Sequence, residues 1–146
     1  MSHDPFHDLA SVLESLVDLN RRLLALCDRK RALLAAFDLD GLQVLMRSEQ
    51  ELSASILSFE DSASDLVARL LGPELRLRRL GRDVLLRRVI LLAPKSDQAR
   101  LAALRTDLLN VLAALRDSHP ANLILSRPAP TRIVFQRLSA SYRNAV

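Results

Sequence analysis

The chain has 146 residues and a formal net charge of +4; 49% of it is hydrophobic, with three glycines, one cysteine and no tryptophan. That length supports one ordinary domain with a real core but not two, and a Leu-, Ala- and Arg-rich, aromatic-poor composition favours helix over sheet. A lone cysteine excludes an internal disulfide. Apolar runs such as Val89 to Ala93 are far too short to span a bilayer, and the opening Met-Ser-His-Asp-Pro lacks the layout of a signal peptide, so the expectation is a cytosolic protein.

The first helix starts cleanly: Asp4 can cap it, Pro5 suits the first helical position and Asp8 meets the positive end of the dipole. Val12, Leu16, Leu19, Leu23, Leu26, Lys30, Leu33 and Phe37 then recur at steps of four and three, which predicts a heptad seam on a helix over 5–37. Cys27 lies among these apolar neighbours and reads as a buried, inert thiol. A second helix over 39–71 carries Leu42, Leu45, Glu49, Leu52, Ile56, Phe59, Ala63, Leu66 and Leu70, with Asp38 as its cap and Asp40 in its first turn. Only a few residues separate the two, so the helices should be antiparallel neighbours. Each seam has one charged intruder, Lys30 and Glu49, at nearly equal distance from Asp38. The pair is expected to meet and align the hairpin; the competing reading is that both long stems carry their charges out to water.

Gly72-Pro73 stops the second helix. A third is expected over about 74–92, with Leu77, Leu80, Val84 and Leu91 on one stripe. A fourth is expected over about 97–118, capped by Ser96 or Asp97 and carrying Leu101, Leu104, Leu108, Val111 and Leu115. His119-Pro120 reads as a helix break, after which "ANLILS" could prolong a kinked helix. Pro128 and Pro130 forbid continuous helix through "RPAPTR", and a final amphipathic piece places Val134, Leu138 and Tyr142 at steps of four. The fold class is therefore all-α: a long antiparallel hairpin and two further helices in an elongated bundle over 1–126, with an amphipathic tail over 127–146.

Charge divides the chain. Residues 1–72 hold 7 Lys/Arg and 12 Asp/Glu, net −5, whereas residues 73–146 hold 14 and 5, net +9. The halves can attract each other, or the basic half can meet an acidic partner. The densest cations, Arg76, Arg78, Arg79, Arg82, Arg87 and Arg88, scatter around their helix at 100 degrees per residue and lack interleaved aromatics, so a nucleic-acid binder is the weaker alternative. His3 and His7 have metal-ligand spacing but sit at a fraying terminus. No phosphate loop, nucleophile elbow or Cys/His ligand set appears, which predicts a non-enzyme without metal or cofactor.

Around the reversal, "AAFDLDGLQVLMRSEQEL" supplies Asp38, Leu39, Leu42, Leu45, Glu49 and Leu52, and "HPANLIL" supplies Asn122, Leu123, Ile124 and Leu125. In these residues the chain resembles the FlgN-type flagellar export chaperones, although Phe37 stands where that family usually has glycine. The resemblance implies a helical, non-enzymatic protein that holds terminal helices of hook-filament junction proteins soluble and delivers them to the export gate. It further implies client contact through the C-terminal region, here Asn122, Leu123, Leu125, Arg132, Val134, Phe135, Arg137, Leu138 and Tyr142. A self-associating structural bundle is the alternative from another class.

Overall fold

The computed structural model describes residues 4–72 and 82–125, and every regular element among them is a helix: α1 Pro5–Ala35, α2 Leu39–Leu71, α3 Arg82–Leu92 and α4 Lys95–Leu125. The helix α1 begins as its sequence dictates, with the Asp4 carboxylate accepting from the Phe6 N–H at 3.0 Å and Pro5 in the first turn. At 31 residues it is about 45 Å long.

The expected end of this helix at Phe37 needs correction. It closes at Ala35, with the Phe37 N–H donating to the Leu34 carbonyl at 3.2 Å and the Asp38 N–H to the Leu33 carbonyl at 3.0 Å. This paired closure requires a left-handed residue after the cap, and Phe37 takes it at φ 55°. The reversal swings its ring off the seam, leaving it 88% exposed. Asp38 then caps α2, its Oδ1 accepting from the Gly41 N–H at 2.9 Å. Glycine is required at 41 because a Cβ there would lie 2.6 Å from the Asp38 carboxylate and 2.9 Å from Leu33.

Helix α1 is central. It packs antiparallel to α2 and parallel to α4, as the Glu14–Arg100 ion pair and the contact of Arg31 with the Ser118 carbonyl establish from opposite ends. Helices α2 and α4 flank it without any Cα pair between them coming within 8 Å. Short α3 bridges α2 and α4, and its residues join the core of the end where α1 begins. Leu9, Leu13, Leu16, Leu23 and Cys27 of α1 form one continuous cluster with Ile56, Val89, Ala93, Leu101, Leu112 and Leu115.

Two further expectations are revised. In the third helix, described from Arg82, the stripe through Leu91 does not face inward: Val89 is fully buried while Leu91 and Leu92 are exposed. The 11-residue α3 is pinned through Val89 and Ala93, and Leu91, about 200 degrees round the helix from Val89, must then point away. Leu77 and Leu80 lie outside the described residues. The fourth helix is longer at both ends than 97–118. Its first turn is closed by the Pro94 carbonyl, which accepts from the Asp97 N–H at 2.8 Å and the Gln98 N–H at 3.1 Å, so neither Ser96 nor Asp97 is the cap. The Gln98 side chain instead donates to the Ala93 carbonyl at 3.0 Å, helping to close α3. At the far end α4 runs through His119-Pro120 to Leu125. Proline removes one backbone donor, and the surrounding turns carry the helix past it at that cost.

Candidate functional site

Side-chain chemistry collects in the half of the hairpin nearest the reversal. Lys30 and Glu49 face each other, with Nζ 3.3 Å and 3.4 Å from the two carboxylate oxygens. Their side chains are 0% and 3% exposed, so both charges stay inside instead of reaching water. Helical spacing places both residues on the seams, and the short Asp38-capped turn brings them level. Ser53, also buried, donates to the Glu49 carbonyl at 2.6 Å. Beside the pair, Cys27 is a free buried thiol held above its ordinary pKa, at about 12, by desolvation first and the Glu49 charge second, with Lys30 acting the other way. Such a thiol is a packing group and not a nucleophile.

Asn20 is the polar core residue that periodicity alone passes over. It sits one turn past Leu16, donates Nδ2 to the Leu16 carbonyl at 2.7 Å, and keeps Oδ1 buried without a hydrogen-bond partner. Its signal in the sequence was an Asn between Leu16 and Leu23 at seam spacing, easily mistaken for an exposed position. Glu60, at 9% exposure, is a further buried polar group of the hairpin.

Beyond this layer the reversal is apolar and open to solvent. Phe37, Leu39 and Val44 are 88%, 71% and 68% exposed. Only Asp38 and Asp40 carry charge between residues 35 and 46. Because α4 runs parallel to α1, with Arg31 reaching the Ser118 carbonyl, its last turns lie toward this same end of the molecule. Those turns carry Asn122, Leu123 and Leu125. Arg132, Val134, Phe135, Arg137, Leu138 and Tyr142 lie outside the described residues, as do Arg76, Arg78 and Arg79.

Attraction between the acidic and basic halves is realised where the Arg100 guanidinium lies 2.6 Å from Glu14. Both side chains are about half exposed, so this pair is worth at most about 1 kcal/mol. His7 is exposed, Asp4 is engaged as a cap, and no three His, Cys, Asp or Glu side chains converge among the described residues. Among the same residues, no helix is long and apolar enough to cross a membrane. No family model, curated protein or solved structure matches the chain.

Proposed function

We propose that this chain is a non-enzymatic export chaperone of the FlgN type, which holds terminal helices of hook-filament junction proteins in the cytosol before secretion. The observation that carries the reading is the reversal: two long helices joined by an Asp38-capped turn, with Leu42 and Leu45 buried behind it, are the elements on which the resemblance rests. The parallel course of α4 adds support, because it brings Asn122, Leu123 and Leu125 toward the same end and launches the amphipathic segment from there.

Recognition is of the helix-in-groove kind. Leu123, Leu125, Val134, Phe135, Leu138 and Tyr142 supply apolar anchors to an amphipathic client helix, while Arg132 and Arg137 meet client carboxylates. Burying such side chains supplies on the order of several kcal/mol after ordering costs, which suits reversible holding. The full chain should bind the terminal helix of a hook-filament junction protein one to one in titration calorimetry. Leu138→Asp and truncation after Pro130 should each weaken that binding at least tenfold. Equal affinity of the truncated chain removes the tail from the site, and no binding by the intact chain removes the chaperone reading.

A self-associating bundle is the second reading, favoured by exposed Leu91 and Leu92 beside the turn into α4. A strictly monomeric sedimentation profile at high protein concentration ends it.

A further inference from the structure

Both ends of the bundle leave apolar side chains in solvent, and the charges beside them have opposite sign. We infer that a second copy of this chain covers them: the hairpin tip of one molecule, with Phe37, Leu39, Asp40 and Val44, docks on the α3 end of the next, with Arg88, Leu91 and Leu92. The inference rests on the self-association reading and deepens it by naming the two faces that meet.

Placement is the first support. Among the described residues, the large apolar side chains left exposed are Phe37, Leu39 and Val44 at one end and Leu91 and Leu92 at the other, and the flanks between carry none. Single exposed leucines are ordinary, but their confinement to two opposite ends is not. Charge is the second support. Residues 35–46 contain Asp38 and Asp40 and no basic residue, whereas the equally long stretch 85–96 contains Arg87, Arg88 and Lys95 and no acidic one. Each face sets charge and apolar surface together by helix geometry: Val44 lies one turn past Asp40 in α2, and Leu92 lies one turn past Arg88 in α3. Tip against tip would bring Asp38 and Asp40 onto their own copies, and two α3 ends would repel in the same way, so unlike ends must meet. An antiparallel pair satisfies both contacts at once, and a head-to-tail row satisfies them in succession. The third support is Phe37, an aromatic held at φ 55° where glycine would adopt the backbone without strain. A neighbouring molecule gives that ring the contacts its own fold withholds.

Sedimentation equilibrium of the full chain between about 10 and about 500 µM should show apparent mass rising with concentration, as suits a small interface. Asp40→Arg and Arg88→Asp should each weaken association at least tenfold, because each sets like charges against one another. Mixed in equal amounts, the two variants should regain the association of the parent chain: the arginine introduced at position 40 then meets the aspartate introduced at position 88, and the unchanged Asp40 meets the unchanged Arg88. Phe37→Ser and Leu91→Ser should weaken association too; both side chains lie mostly in solvent, so the helical circular dichroism should not change. Glu51→Arg, the same change of charge on the exposed flank of α2, should leave association as it was. A strict monomer at the highest concentration overturns the inference together with the self-association reading. Growth indifferent to Asp40→Arg and Arg88→Asp overturns the inference alone and moves the interface to another surface. A mixture of those two variants that stays dissociated overturns it as well, since the two faces would then not meet each other.

Discussion

The two ends of the bundle solve the same problem, ending a long helix, with opposite residues. At the closed end α2 finishes on Gly72 at φ 83° and ψ 164°, a conformation essentially reserved for glycine, and glycine is there. At the open end α1 finishes through Phe37 at φ 55°, where glycine would serve better and a phenylalanine stands instead. The closed end gathers α3 and buries Leu9, Val89 and Leu101 completely, while the open end keeps a buried ion pair and shows Phe37, Leu39 and Val44 to solvent. The open end carries a backbone cost at Phe37 that glycine would avoid.

The contrast can be broken first at the ion pair. Lys30→Met should leave the Glu49 carboxylate without the Lys30 counter-charge inside the hairpin and cost about 3–5 kcal/mol in denaturant unfolding. The double variant Lys30→Met/Glu49→Leu should recover most of that loss; if it also shifts the pairing of α1 with α2, the pair sets register and not merely charge balance. At the closed end Leu101→Ala, which opens a cavity in the continuous core, should cost about 2–5 kcal/mol. A smaller loss would mean that α3 shifts to fill the gap.

Backbone effects come next. Gly72→Ala should destabilise by about 1–3 kcal/mol purely through its dihedral angles, because an added Cβ meets nothing within 4 Å. Phe37→Gly should do the reverse and raise stability by about 0.5–1 kcal/mol. Opposite signs for two helix-end substitutions would establish the asymmetry directly; a loss of stability in Phe37→Gly would show that the ring contributes to the fold.

At neutral pH the smallest expected effect concerns Cys27. Its pKa is raised, to about 12, so the folded state keeps a proton that the unfolded thiol gives up near its ordinary value. This contribution to stability is complete below about pH 8.5 and declines as the pH rises toward 12. Cys27→Ala should flatten that alkaline decline in melting temperature, and thiol reagents at pH 8 should modify the native protein no faster than it opens.

Much of the hairpin was legible because its signals are local. Asp38 is competent to cap whatever surrounds it, and steps of three and four place Leu42, Leu45 and Glu49 on one face by helix geometry alone. The facing of Lys30 and Glu49 followed from equal distances to a short turn. Phe37 was misread because a left-handed closure depends on two carbonyls of the preceding turn and not on the identity of the residue. Leu91 was misread because so short a helix takes its rotation from its neighbours, and Pro120 because a single lost donor does not stop a helix of this length.

The sequence by itself determined an all-α chain, its hairpin and the seam charges, since periodicity, capping and turn length act over a few residues. Only the tertiary structure decided that α1 is the central helix, that α4 runs parallel to it, and that the apolar reversal stays in solvent. Those features depend on which seams meet, and any leucine seam can pack against any other until charge, loop length and the geometry of the ends choose between them.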